Sequence, residues 1–131
     1  MSDTHGEVWW TELMTRDVAG AKAYYSAMCG WTFDTMPMGE GMEYHIAKKG
    51  DRMVAGIMDM TGMPGMDDLP PHWNSYFAVD DIDATCKATV AAGGQVLQEP
   101  WDMPGTGRIA MLMDPTGAAM GMMTPEEGAT G

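Results

Sequence analysis

Cysteine is scarce in the 131-residue chain: Cys29 and Cys86 are its two. That is too few for the disulfide framework that staples small secreted domains, so a reduced, cytoplasmic protein is the expectation. A continuous apolar run of about 18 residues is missing, which argues against a membrane-spanning helix. The N-terminus lacks the basic and apolar segments of a signal peptide. Positive charge is also in short supply, with 7 Lys and Arg against 19 Asp and Glu, a net charge of −12. Nucleic acids and anionic membranes are bound mainly through Lys and Arg, so neither is an expected partner. The acidic surface is read as one that favours solubility. A phosphate-cradling glycine loop, a CxxC pair and Ser-His-Asp spacing are lacking as well.

Methionine is abundant, at 17 residues. Thioether sulfur is a soft ligand for copper(I). The methionines are spread through the chain without clustered His or Cys, however, which favours flexible filling of core and pocket by a polarisable side chain.

The strongest pattern is a repeat. Trp9 to Gly30 matches Trp73 to Gly94 at an offset of 64 residues, with Trp9 on Trp73, Asp17 on Asp81, Val18 on Ile82 and Gly30 on Gly94. A self-match at fixed offset means two copies of one supersecondary unit. Alternation predicts a strand over Val8 to Thr15, with Trp10, Glu12 and Met14 on one face. Asp17 is a helix N-cap, and Val18, Ala21, Tyr25, Met28 and Cys29 form an apolar stripe ended by Gly30. Strands follow over Trp31 to Pro37, Glu43 to Lys48 and Met53 to Asp59, with a turn at 38–41. The proline- and glycine-bearing stretch 61–72 reads as a linker. The second copy places a strand over Trp73 to Val79, a helix after Asp81 with Ile82, Thr85, Cys86, Thr89 and Val90 inward, and strands over Gln95 to Glu99, Gly107 to Met113 and Ala118 to Thr124. Asp114-Pro115-Thr116-Gly117 suits a type I turn. Residues 1–6 and the tail at 126–131 are expected to be loose. The expected class is α+β: one domain of two tandem β-α-β-β-β units, 7–60 and 73–125.

These features resemble the vicinal oxygen chelate superfamily of glyoxalase I, bleomycin resistance proteins and extradiol dioxygenases. The resemblance rests on the two units, on Gly-Trp-Thr-Phe at Gly30 to Phe33, and on the Asp-Pro-Thr-Gly hairpin. Trp-Thr-Glu-Leu near the start, Val-Ala-Gly-Ile in the fourth strand and Pro-Pro-His-Trp in the linker are similar to its bacterial glyoxalase-like branch. The resemblance implies an open, curled mixed sheet around a cavity, and a homodimer. In the family's metal enzymes the ligands stand on the first and last strand of each unit. Carried over by position, those places hold Trp10, Gly56, Asn74 and Gly121. Tryptophan offers an N–H donor, and glycine has no side chain. One asparagine does not hold a transition metal, which needs three or four ligands about one point. Neither a metal nor another cofactor is therefore expected. Glycine at a cavity-facing strand position reads as room for a ligand.

The candidate lining is Trp10, Met14, Met58, Met111 and Met113, with Asn74, Tyr76 and Arg108 supplying polarity. For Trp10 and Met14, core filling and ligand contact both stay open. Glu12 shares their face, where a carboxylate needs a partner or a task. It can be a general base, a hydrogen-bond acceptor for a ligand, or half of an ion pair with Arg108, which can otherwise clamp an anion. His45 is a strand residue that can face the cavity, although a lone strand histidine is more often structural, and His72 can reach the cavity rim but better suits linker packing. Two functions compete. One is metal-free sequestering or sensing of a small, partly aromatic molecule, with a cationic ligand suited to the acidic chain. The other is a lyase or isomerase using Glu12 as base, with or without a metal at a nonstandard place.

Overall fold

The computed structural model describes residues 3–37, 42–63, 67–103 and 105–126. Among these residues lie eight strands and two helices: β1 (Val8–Thr15), α1 (Val18–Cys29), β2 (Thr32–Pro37), β3 (Glu43–Lys49), β4 (Arg52–Asp59), β5 (His72–Ala78), α2 (Ile82–Ala91), β6 (Gln95–Met103), β7 (Gly107–Met113) and β8 (Ala119–Pro125). The class is α+β, with the β-α-β-β-β order written twice. The expected turn at 38–41, the linker positions Pro64 and Gly65, and the tail at 127–131 lie outside the described residues. The chain divides into two compact units, Trp10–Trp73 and Asn74–Gly131 with Met1–Trp9.

In the first unit the strands run in the order β2-β3-β4-β1. β1 pairs in parallel with β4, while β2-β3 and β3-β4 are antiparallel. Returning to the same sheet in parallel needs a crossover, and α1 begins it. Asp17 caps the helix by accepting the Gly20 N–H at 2.8 Å. Gly30 ends it in the left-handed region, at φ 71°, where glycine carries no Cβ penalty. The apolar stripe expected on α1 is only partly realised. None of its residues is buried, and Met28 is 65% exposed. Val18, Ala21, Lys22 and Tyr25 are half-covered. Tyr25 anchors the C-terminal end by stacking on Trp31 at 5.2 Å and meeting Trp73 edge-on at 5.5 Å.

The second unit repeats the pattern as β5-β8-β7-β6, with β5 parallel to β8. Asp81 accepts the Ala84 N–H at 3.1 Å, and Thr124 Oγ1 accepts the Ile82 N–H at 2.8 Å, so two side chains satisfy the first turn of α2. Ile82 and Cys86 are buried against Val79, Ala110 and Leu112. That burial pushes the Cys86 thiol up. Both cysteines are free. β6 continues past the expected end at Glu99, through Pro100 to Met103. A proline is tolerated there because β6 is the last strand of its sheet and its register with β7 shifts on both sides of Gln98. In the β7–β8 turn, Asp114 Oδ1 accepts the Thr116 and Ala118 N–H groups, and the Asp114 carbonyl accepts from Gly117. Residues 3–6 differ from the loose start expected. Gly6 N–H donates to the Ala78 carbonyl at 2.7 Å, and Asp80 N–H donates to His5 Nδ1 at 2.9 Å. No described helix is long and apolar enough to cross a membrane.

Candidate functional site

Pleating sends alternate residues of each strand to opposite faces, so register decides which side chains meet. On the helix-free face of the first unit, Glu12 lies beside Gly56 and Met14 beside Met58. Across β3, Ile46 pairs with Gly56 and Tyr44 with Met58, which puts Tyr44 diagonally opposite the glycine. The Tyr44 ring leans over that position: a Cβ added to Gly56 would collide with its hydroxyl and ring carbons. Trp10 Nε1–H donates to Tyr44 Oη at 2.8 Å. The room expected above Gly56 is therefore filled by a tyrosine of the same unit. Met14 and Met58 are 3% and 7% exposed, and they pack with Met60, Tyr44 and Met63. For Met14 the core-filling alternative describes what is seen. Trp10 and Glu12 are half-buried.

The second unit repeats this arrangement. Tyr76 and Met111 flank Gly121 in register, and a Cβ on Gly121 would collide with the Tyr76 ring. Asn74, 5% exposed, points Nδ2 to Met111 Sδ at 3.9 Å, a weak acceptor. Met113 follows Met111 on the same face and is half-buried. Arg108 does not join this group, a correction to its expected place. It alternates with Ala110 and Leu112 on the face that carries α2. There its Nε and Nη2 bind Asp83 at 2.9 and 3.1 Å, and its Nη1 binds Asp102 at 3.2 Å. Those bonds hold the Asp83 carboxyl below its ordinary value and push the guanidinium further up. Its expected roles as Glu12 partner and anion clamp give way to this local tie between α2 and β6.

The four positions that correspond to family metal ligands do not fit a metal ion. Trp10 presents an N–H already given to Tyr44, and Gly56 and Gly121 each lie under a tyrosine ring. Asn74 alone carries a ligand oxygen. Among the described residues, no group of three or more His, Cys, Asp and Glu could hold a metal.

His45, which the sequence leaves open to a cavity-facing or a structural place, does not join the helix-free face. It alternates with Tyr44 and Ile46, and so lies on the face bearing α1, with Nδ1 3.2 Å from Thr35 Oγ1. Burial, and then the Lys22 ammonium, lower its pKa. His72 Nδ1 lies 2.8 Å from the Pro70 carbonyl, in the linker it was expected to serve. The residue that sequence reasoning missed is Tyr44. Its signal was present as a tyrosine on one strand and a glycine on the next, but the pairing needs the β3–β4 register before it can be seen.

A family model described as the Glyoxalase/Bleomycin resistance protein/Dioxygenase superfamily matches residues 8–121. The chain is 44% identical over 120 residues to a Mycobacterium bovis protein called "Putative glyoxylase CFP32"; the match covers 92% of this chain and 44% of that protein. It is 38% identical over 129 residues to the anthracycline biosynthesis protein DnrV of Streptomyces peucetius, covering 94% and 43%. The chain thus spans less than half the length of these two curated relatives. Among solved structures, methylmalonyl-CoA epimerase from Mycobacterium tuberculosis superposes with a TM-score of 0.63 at 16% identity, over 96% of this chain and 93% of the other. At that identity the likeness concerns the fold.

Proposed function

The chain belongs to the glyoxalase, bleomycin resistance protein and dioxygenase superfamily, and we propose that within it the chain is a metal-free binder of a small, partly aromatic molecule. The observation that carries this reading is the paired filling of Gly56 by Tyr44 and of Gly121 by Tyr76. Rings stand where the family's metal chemistry would need donors. What remains on each helix-free face is an aromatic and thioether surface with a few polar atoms. Trp10, Glu12 and Tyr44 supply it in the first unit, and Asn74, Tyr76 and Met111 in the second. Such surfaces suit flat, apolar ligands held by stacking and oriented by a few hydrogen bonds. A net charge of −12 favours a cationic ligand, to which aromatic faces add cation–π attraction. The relative named for anthracycline biosynthesis is in keeping with an aromatic ligand. A homodimer is part of the proposal, and two free thiols suit a reducing, cytoplasmic setting.

Native mass spectrometry with elemental analysis of the same purified sample tests this. A dimer with no stoichiometric metal, carrying an added organic mass, is the expected result. One iron, zinc, nickel or manganese per chain overturns it.

The second reading is an enzyme, a lyase or isomerase in which Glu12 is the general base. Its support is the half-buried carboxylate beside Gly56 and a relative named as a glyoxylase. Glu12→Gln separates the two. Retained ligand affinity with abolished turnover makes the protein an enzyme, whereas weaker ligand binding with no turnover in either form leaves it a binder.

A further inference from the structure

On the helix-bearing side of the first unit, a groove of about 460 Å³ opens between the first turns of α1 and the adjoining ends of β3 and β4. Its polar wall combines Lys22 from α1, Glu43 and His45 from β3, and Asp59 from β4. Its apolar wall includes Val18, Ala19 and Met42. The volume falls in the range of small-molecule sites.

Four features point to a ligand. His45 is 8% exposed, and its Nδ1 lies against Thr35 Oγ1. Among the described residues no partner is seen for its Nε2, and the residue lines the groove. Thr61 hydrogen-bonds Asp59 through its side chain and through its N–H at 2.9 Å, which fixes the carboxylate at the groove wall and favours its ionised form. Lys22 is steadied by the Phe33 ring, 5.8 Å from its ammonium. Finally, the Asp17 carboxylate caps α1 through the Gly20 N–H, and with no further acidic residue in the first turn the Val18 and Ala19 N–H groups, unpartnered among the described residues, stay free for a ligand oxygen.

A simple anion would meet the Lys22 and helix end but also two carboxylates. A simple cation would meet the carboxylates but also the ammonium. A metal ion lacks a donor set here. A molecule carrying both charges satisfies both ends of the groove. We propose that this groove binds a small zwitterion of the α-amino-acid type. Its ammonium lies toward Asp59 and Glu43, its carboxylate toward Lys22 and the start of α1, and its apolar side chain along Val18 and Met42. His45 Nε2 supplies a further hydrogen bond. The groove is distinct from the helix-free face and does not depend on the function proposed for it.

The probe is L-methionine, titrated into the full chain while the His45 ring resonances are followed by NMR. A saturable shift is expected, with glycine, n-butylamine and butyrate each needing about tenfold more ligand or beyond. Lys22→Gln and Asp59→Asn should each weaken L-methionine binding by about tenfold, the value of one charge-assisted contact. The proposal is overturned if L-methionine gives no saturable shift at millimolar concentration, since that experiment needs no variant. It is equally overturned if n-butylamine or butyrate binds as well as L-methionine, or if both folded variants bind it like the parent chain.

Discussion

The Tyr44 ring occupies the space that a side chain on Gly56 would need. Tyr76 and Gly121 stand in the same relation in the second unit. These glycines are therefore neither turn residues nor openings. Each is the flat floor on which a tyrosine lies. The relation recurs in both units at positions that the repeat does not make equivalent, since the tyrosine comes from the third strand of one unit and the first strand of the other.

Gly56→Ala should destabilise the protein by about 1–3 kcal/mol, the usual cost of forcing extra volume into a packed place. Gly121→Ala should do the same through Tyr76. Tyr44→Leu will carry its own cost, yet in the Gly56→Ala background it should relieve the clash. Urea denaturation of the four proteins in that double-mutant cycle checks the coupling. Additive effects would mean that the ring moves aside freely.

The Trp10 indole donates to the Tyr44 hydroxyl at 2.8 Å in a half-buried setting. Trp10→Phe removes the donor and keeps most of the apolar surface. The expected loss is about 0.5–1.5 kcal/mol, typical of one intramolecular hydrogen bond. Tyr44→Phe should cost a similar amount, and the double variant should cost less than the sum. Thermal unfolding followed by circular dichroism measures all three.

The repeat, the helix caps and the strand order were legible because each rests on local chemistry. Asp17 and Asp81 cap because their carboxylates reach N–H groups three residues on. The eight strands follow from alternation and punctuation. What could not be read depends on register or on partners distant in sequence. Counting residues along β7 puts Arg108 opposite Met111, but only the fold brings Asp83 and Asp102 to it. Pro100 looked like a strand terminator, and its tolerance follows from β6 being an edge strand. The face of His45 stays open in the sequence because alternation alone does not say which face carries the helix. The family-derived ligand positions pointed to real places in the sheet, but not to the tyrosines that fill two of them.

Arg108→Gln should release both carboxylates. Asp83 sits below its ordinary value of 3.8, chiefly because Arg108 bonds to it. A depressed carboxyl contributes stability that is present above the unfolded value and lost as pH falls through the folded one. In the variant the Asp83 titration midpoint should rise toward 3.8, and the acid-dependent contribution should vanish. Both groups are exposed, so the change in stability at neutral pH will be small. NMR titration of the carboxyl carbons checks the midpoint. Hydrogen exchange in the β6 segment around Asp102 should quicken once its tie to α2 is gone.

His45 gives the last prediction a sign that can be checked. Its value lies below the ordinary 6.5, with burial the larger cause and the Lys22 ammonium the second; Glu43 and Asp59 pull the other way. Lys22 faces it from α1, Glu43 shares β3 with it, and Asp59 stands on β4, so these charges come from all three lining elements. The folded state therefore prefers the neutral ring. Below 6.5 the unfolded chain binds the proton that the folded chain resists, so this contribution to stability is complete above 6.5 and falls away as the pH drops. The His45 ring resonances should titrate below 6.5 in the parent chain, and Lys22→Gln should move the midpoint up. A midpoint above 6.5 in the parent would mean that Glu43 and Asp59 outweigh burial, and the stability trend with pH would then reverse.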